Sequence, residues 1–263
     1  MKQYILCFLC LIPDPKLLDF INCLKNEQYD IYICIDDNRY IPNKNRWKNI
    51  NFIQINNDEC RNSGYKSLVA YFNEQSCSKD KALYYFNNIN IKYNYIWFIE
   101  DDAFIPTVNT IKNIDNKYNN NIDFLTPQEC WCENNTEFYN FYWYPLIELQ
   151  FYWLKKKTKI DYFDVKNKDI PRWKTMTCAC RLSKKFMDKI SIFVNKYGTL
   201  FMDEVFYIYI AKYNQLNIKE IPELNNQRVG NDFIYTDINI NNIYHPIKCF
   251  TNQHLYRNKL KDL

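Results

Sequence analysis

Short, almost wholly apolar runs alternate with amphipathic segments over the first half of the chain. Runs without polar alternation are typical of strands that are buried on both faces of a sheet. We predict strands at residues 3–11, 30–35, 52–55 and 95–99. Helical spacing of apolar side chains predicts helices at residues 13–24, 64–72 and 79–87. The alternation indicates an α/β fold with a mostly parallel sheet and helices on both faces.

The second half of the chain is less regular. Its pattern predicts strands at residues 122–126 and 176–182, and helices at residues 183–197 and 203–213. Residues 129–157 are dense in aromatic side chains. Neither an internal repeat nor a linker rich in Pro, Gly or Ser divides the sequence, so we expect one domain over residues 1–263.

Composition and charge add two constraints. The chain has only 3 glycines but 23 tyrosines and 18 phenylalanines, a bias that an A/T-rich coding sequence produces and that indicates a viral or similar source. The net charge is only +4 and the basic residues are spread along the chain, which argues against a nucleic-acid partner. Lysines 155–157 and Lys159 form the nearest approach to a basic patch and fit a solvated turn or helix face.

The cysteine count bears on the compartment. Eleven is an odd number, the chain is long, and the first apolar run is short and stopped by Pro13. We therefore expect an intracellular, cytoplasmic protein (in the host cytoplasm if it is viral) with reduced thiols and no membrane span. The pairs Cys130/Cys132 and Cys178/Cys180 have one residue between them, against the two to four typical of zinc sites.

The strongest chemical signal is an acidic triplet directly after an apolar strand. Glu100, Asp101 and Asp102 follow the strand predicted at 95–99. Open α/β sheets bind ligands at the carboxyl ends of their strands, and adjacent carboxylates imply a cation or perturbed pKa values. Mg²⁺ or Mn²⁺ held by these groups together with substrate phosphates suits the arrangement. On spacing alone, three acids that simply end a strand in solvent remain an alternative.

The segment IWFIEDDAFIP resembles the metal-binding segment of GT-A glycosyltransferases, in the form found in the N-acetylglucosaminyltransferase I type. With DKALYYF, LFMDEVF and NIYHPIK, it also resembles GT-A-type proteins of large DNA viruses and algae, over most of residues 3–250. The resemblance implies a Rossmann-like, mixed, mostly parallel sheet. It also implies a UDP-sugar or similar donor, Mn²⁺ or Mg²⁺, and a glycan or other hydroxyl acceptor. A nucleotide-binding half at 1–126 and an acceptor-binding half at 127–263 follow.

The resemblance also assigns roles to single residues. Asp102 is the direct metal ligand, while Glu100 and Asp101 serve the ribose or the metal-bound waters. Glutamate at the first position departs from a plain DxD sequence, which affects the ribose contact. His245, in NIYHPIK, returns to complete the metal site, and Lys248 is placed to neutralise the diphosphate.

A second group of candidates concerns the nucleotide. Asp36 and Asp37 end the second predicted strand, where such enzymes place a carboxylate near the base or ribose. Lys81, in DKALYYF, joins them as a candidate binding residue. An exposed turn rich in Asp and Asn explains residues 36–38 as well. The other histidine, His254, fits a surface position.

Asp203 and Glu204 begin an apolar helical segment. Acids at a helix N-terminus are favoured by the helix dipole, which is a sufficient structural explanation. As a functional alternative, an inverting transfer needs a carboxylate that takes the proton of the acceptor hydroxyl. Inverting GT-A enzymes carry an acidic pair at such a helix start, and the resemblance favours Glu204 over Asp203.

Three interpretations stay open. Aromatic side chains between residues 131 and 144 could stack on acceptor sugars or simply form core. A nucleotidyltransferase shares the sheet and the carboxylates, but such enzymes usually have a glycine-rich loop after the first strand, and no glycine precedes Gly64. A catalytically inactive carbohydrate-binding protein with the same fold is the third possibility.

Overall fold

A computed structural model describes residues 4–67, 77–118, 121–127, 174–227 and 237–261, with the single residues 152, 155, 156 and 159. Within these ranges, seven strands form one sheet in the order β3-β2-β1-β4-β6-β5-β7. The strands are β1 (Tyr4–Cys10), β2 (Tyr29–Ile35), β3 (Ile50–Ile53), β4 (Tyr95–Glu100), β5 (Phe124–Pro127), β6 (Ala179–Ser183) and β7 (Ile218–Ile221). β6 is antiparallel to β4 and β5, and the other pairs are parallel. The predicted α/β class with a mixed, mostly parallel sheet is confirmed.

Helices cover both faces of this sheet. They are α1 (Pro15–Asn22), α2 (Asn57–Asn62), α3 (Ser78–Asn88), α4 (Thr110–Lys117), α5 (Lys184–Tyr197), α6 (Asp203–Tyr213) and α7 (Phe250–Lys261). Two two-residue strands, β8 (Asn226–Gln227) and β9 (Tyr244–His245), pair beside the main sheet. No helix in the described ranges is long and apolar enough to cross a bilayer.

The apolar strands are buried on both sides, as their sequence pattern predicts. Along β4, Phe98 packs with α3, α5 and α6, whereas its neighbours Trp97 and Ile99 pack on the opposite face with α1 and α4. All three side chains have no exposed surface. This double burial explains why the strands lack polar alternation.

One predicted helix is wrong where the structure can test it. The helix α2 ends at Asn62, and residues 64–67 after it are not helical. Residues 68–72 of the predicted helix lie outside the described ranges. Gly64 has φ +85°, and a Cβ on it would lie 3.0 Å from the Cα of Gly198. The backbone at Gly64 therefore turns and approaches another segment closely, which a glycine permits and a helix does not.

A buried ion pair links the sheet to α4. Arg181 on β6 donates to the Asp115 carboxylate at 2.6 Å, and both side chains are at most 3% exposed. The carboxylate also accepts from Tyr29 Oη at 2.6 Å and from Trp97 Nε1 at 3.2 Å. Burial raises the pKa of Asp115, and Arg181 together with these donors opposes the rise. Four elements are thus joined through one carboxylate.

Candidate active site

The carboxyl ends of β2, β1 and β4 meet at one edge of the sheet. The Asp36 N–H donates to Cys10 O at 2.9 Å, and the Asp101 N–H donates to Leu9 O at 3.0 Å, so these two acids flank the end of β1. Because β6 runs antiparallel, its beginning lies at this edge too, and the Glu100 N–H donates to Cys178 O at 2.7 Å. Ligands bind at such an edge in open α/β sheets.

Residues 244–247, called the His245 segment below, lie against the acidic triplet although they come late in the chain. Phe104 and Tyr244 exchange two backbone hydrogen bonds of 2.7 and 3.1 Å, and the Ile247 N–H donates to Asp102 O at 2.8 Å. His245 Nε2 consequently lies 3.1 Å from Asp102 Oδ1 and 3.7 Å from Glu100 Oε2. The structure brings together an imidazole and two carboxylates that are far apart in sequence.

The helix α7 holds the His245 segment against the acidic triplet. Gln253, which has no exposed surface, donates from its amide to Asp101 O at 3.0 Å and to Ile247 O at 2.9 Å. Arg257 donates to Ile105 O at 2.9 Å and to Gln253 Oε1 at 3.0 Å. One glutamine therefore connects the triplet to the His245 segment, and the sequence pattern did not reveal this role.

Replacing Gln253 by leucine should lower the free energy of unfolding by at least about 1–3 kcal/mol, because buried carbonyl groups lose their donor. Urea denaturation followed by circular dichroism measures the change. Asn252→Ala, an exposed substitution in the same helix, serves as the control and should change the free energy by less than about 0.5 kcal/mol. Equal values for the two variants would mean that Gln253 does not hold the His245 segment against the triplet.

Lys79 joins the triplet to the acidic pair of α6. Its ammonium donates to Glu100 Oε1 at 2.9 Å and to Asp203 Oδ2 at 2.5 Å, and the side chain is only 9% exposed. Burial lowers the pKa of Lys79, but the carboxylates of Asp203 and Glu100 outweigh burial and raise it well above the usual range. Lys79 was not among the predicted site residues, because a lysine in the first turn of a helix ordinarily faces solvent.

The two members of the acidic pair differ in environment. Asp203 accepts from Lys79 and from the Thr177 hydroxyl, and although burial raises its pKa, Lys79 and these hydrogen bonds lower it below the usual value. Glu204 Oε2 is buried and has no hydrogen-bond partner within the described residues. Burial, followed by the charge of Asp203, raises the pKa of Glu204 to about 8. Of the pair, Glu204 is the one that retains a high proton affinity.

The pKa of Asp101 is shifted as well. Burial, followed by the charges of Asp102 and Glu100, raises the pKa of Asp101 to about 7. This shift agrees with the expectation that three adjacent carboxylates in a crevice either hold a cation or change their pKa values.

The candidate nucleotide residues lie beside a cavity of about 470 Å³ at the ends of β1 and β2. Its lining includes Leu11, Ile12, Asp36, Asp37, Asn38, Arg39 and Asn57. Arg39 donates to both oxygens of Asp37, at 2.9 and 2.7 Å, and these bonds lower the pKa of Asp37 to about 2. Lys81 has no exposed surface and donates to Asp36 O at 2.7 Å. Lys81 therefore contacts the backbone of Asp36 from the protein interior.

Lys248 is exposed and directly follows the His245 segment.

Cys178 also lies at the site. Its thiol, Glu100 and His245 each offer a ligand atom, and these atoms lie within 4.8 Å of one another. Burial and the charge of Glu100 raise the pKa of this thiol well above the usual range. Cys180, which the sequence pairs with Cys178, lies in the core on the face covered by α3, α5 and α6. In the sequence, Cys178 is notable only as one of a pair with Cys180, so its separate position at the site was not predicted.

Some predicted features cannot be placed. The aromatic residues between 131 and 144, with Cys130 and Cys132, lie outside the described residues. His254 is exposed, as expected.

Neither a protein-family model nor a curated protein matches the sequence. Similar solved structures include mouse xyloside xylosyltransferase 1, with 11% identity, a TM-score of 0.43, and coverage of 87% of this chain and 88% of that one. Another is 4-diphosphocytidyl-2C-methyl-D-erythritol synthase from Anaerococcus prevotii, with 7% identity, a TM-score of 0.46 and coverage of 98% and 96%. A third is the galactosyltransferase LgtC, with 11% identity, a TM-score of 0.39 and coverage of 74% and 65%.

Proposed function

We propose that the chain is a metal-dependent, inverting glycosyltransferase of the GT-A type that moves a sugar from a nucleotide sugar, with a UDP-sugar favoured, to a hydroxyl acceptor. The observation that carries the proposal is the 3.1 Å approach of His245 Nε2 to Asp102 Oδ1 at the carboxyl end of β4. If the three acids simply ended an apolar strand in solvent, no imidazole would be needed beside Asp102.

The residues present fit a divalent ion. Cis ligands about 2.1 Å from an ion lie roughly 3 Å apart in octahedral geometry, which is close to the distance between Asp102 Oδ1 and His245 Nε2. The Asp102 side chain is 20% exposed, so a ligand can reach it. Asp102 and His245 would hold Mn²⁺ or Mg²⁺, which would supply charge neutralisation for the departing diphosphate.

We propose the following roles for the other side chains. Asp36 and Asp37, which line the cavity at the ends of β1 and β2, accept hydrogen bonds from the base or ribose, and Lys81 holds Asp36 in position. Glu100 and Asp101 serve the ribose or bound waters. Lys248, exposed beyond the His245 segment, offers positive charge to the diphosphate.

Glu204 is the proposed base. A base must accept a proton. Glu204 Oε2 is buried without a hydrogen-bond partner among the described residues, and the pKa of Glu204 is raised, and both features support this role. Asp203 is engaged by Lys79 and Thr177, so it acts as a support for the lysine. Because both halves of the chain contribute strands to one sheet, we further propose a single domain in which residues 1–126 bind the donor and residues 127–263 bind the acceptor.

Product analysis tests the proposal. The protein is incubated with UDP-sugars, Mn²⁺ and a panel of hydroxyl acceptors, and the released phosphates are separated by chromatography. Release of UDP with a glycosylated acceptor is the expected result. In a parallel incubation with a nucleoside triphosphate and a sugar phosphate, release of pyrophosphate would identify a nucleotidyltransferase instead. Binding of a sugar without release of either product would identify a binding protein.

A further inference from the structure

We infer that Cys178 is a ligand of the metal site and that Glu100 binds the ion directly and not through its waters. Together with His245, these two ligands make the site prefer thiophilic ions such as Zn²⁺ or Co²⁺ to Mg²⁺. This is the metal site of the proposed function, and only the role of the ion, charge neutralisation at the diphosphate, rests on that proposal. Its own basis is the cluster of three different ligand types at the beginning of β6 and the end of β4.

The geometry suits a metal of this class. Zinc binds nitrogen and oxygen at about 2.0–2.1 Å and sulfur at about 2.3 Å, so tetrahedral ligand atoms lie roughly 3.3–3.6 Å apart. Glu100 Oε2 and His245 Nε2 are 3.7 Å apart. Cys178 Sγ lies within 4.8 Å of the other two ligand atoms, so a movement of roughly an ångström closes the set. Asp102, 3.1 Å from the imidazole, is available as the fourth ligand.

The surroundings hold these groups in place. Lys79 occupies Glu100 Oε1 at 2.9 Å, and the other carboxylate oxygen, Oε2, is the one near His245. The backbone N–H of Glu100 donates to Cys178 O at 2.7 Å, which fixes the two ligand residues relative to each other. Groups behind the ligands that fix their orientation are a regular feature of protein metal sites.

The chemistry of the ligands sets the preference. A thiolate is a soft ligand that favours Zn²⁺ and similar ions, whereas Mg²⁺ requires oxygen ligands in octahedral geometry. A buried thiol, at 6% exposure, next to an imidazole and a carboxylate therefore selects against Mg²⁺. An all-oxygen cluster at the triplet alone would show no such selection.

Cobalt spectroscopy tests the inference without using activity. Co²⁺ titrated into the full-length protein should produce a thiolate-to-cobalt charge-transfer band in the near ultraviolet, and Zn²⁺, but not Mg²⁺, should remove it. Cys178→Ser should lose the band and bind Zn²⁺ at least roughly tenfold more weakly. Cys23→Ser, which removes an exposed thiol, and the double variant Cys130→Ser/Cys132→Ser are controls that should keep the band.

A second measurement does not require the Cys178 variant to fold. X-ray absorption at the zinc edge, on the Zn²⁺-loaded Cys130→Ser/Cys132→Ser variant, should show one sulfur at about 2.3 Å. A zinc shell without sulfur, or a cobalt band that persists in Cys178→Ser, would overturn the inference. If the sulfur is absent but Mn²⁺ still supports UDP binding, the proposed function stands. If no ion supports UDP binding while the sulfur is present, the proposed function fails and this site remains.

Discussion

Replacing Glu204 by glutamine should lower the rate of sugar transfer by roughly 10²–10⁴-fold while nucleotide-sugar binding stays near the wild-type value. Glutamine keeps the size and hydrogen-bonding capacity of the side chain but cannot take a proton. Initial rates with saturating donor, together with calorimetric donor affinity, separate the two effects. Loss of donor binding in this variant would mean that Glu204 shapes the pocket or holds the metal.

The pH dependence gives the same residue a second test. A base must be ionised to work, and burial, followed by the charge of Asp203, raises the pKa of Glu204 to about 8. We therefore expect kcat/KM to increase with pH up to about pH 8, since this ratio reports the free enzyme, and we expect Glu204→Gln to lose this limb. A limb that persists in the variant would assign it to another group.

Asp203→Asn is the matched comparison. Because Asp203 accepts hydrogen bonds from Lys79 and Thr177, Asp203→Asn should lower the free energy of unfolding. It should leave the increase of kcat/KM with pH in place. If Asp203→Asn abolishes transfer and Glu204→Gln does not, the base is Asp203 and the mechanism is kept. A product that retains the anomeric configuration of the donor would contradict the single-base mechanism.

Replacing Arg181 by methionine should lower the free energy of unfolding by about 3–5 kcal/mol, because the Asp115 carboxylate is left buried without its cation. Tyr29 and Trp97 still donate to the carboxylate, but neither carries a charge. Chemical denaturation at neutral pH measures the loss. Lys184→Met, which breaks an ion pair with both side chains at least 40% exposed, should cost no more than about 1 kcal/mol.

A double variant shows whether the cost comes from the unpaired charge. Removing both partners, with Arg181→Met and Asp115→Leu together, should be less destabilising than Arg181→Met alone. A double variant that loses the sum of the two single effects would mean that the pair contributes through packing and not through charge.

The sheet could be predicted because its strands are buried on both faces. The uninterrupted apolar runs at 3–11 and 95–99 correspond to β1 and β4 at the centre of the sheet. The helix at 203–213 has the predicted bounds, and the predicted helix at 183–197 begins one residue later in the structure. In contrast, β7 is only four residues long and partly exposed, so its sequence gives little signal.

The site was harder to predict because its parts come from distant segments. The Glu100-Asp101-Asp102 triplet could be found from its position after a strand, but the place of His245 came only from the resemblance. Lys79 and Cys178 were missed because contacts between α3, β4 and β6 bring them to the triplet, and spacing along the chain does not encode these contacts. The antiparallel direction of β6 puts Cys178 at the sheet edge that holds the triplet, and the sequence pattern does not predict this direction.

The most direct test of a metal-dependent nucleotide site is calorimetric titration of UDP into the wild-type protein, with Mn²⁺ and again with a chelator. UDP should bind with Mn²⁺ and lose measurable affinity in the chelator, and Asp102→Ala should lose it even with Mn²⁺ present. Asp188→Ala, an exposed carboxylate on α5, should bind like the wild type. An unchanged UDP affinity in Asp102→Ala with Mn²⁺, or equal affinities with and without the metal, would contradict the account.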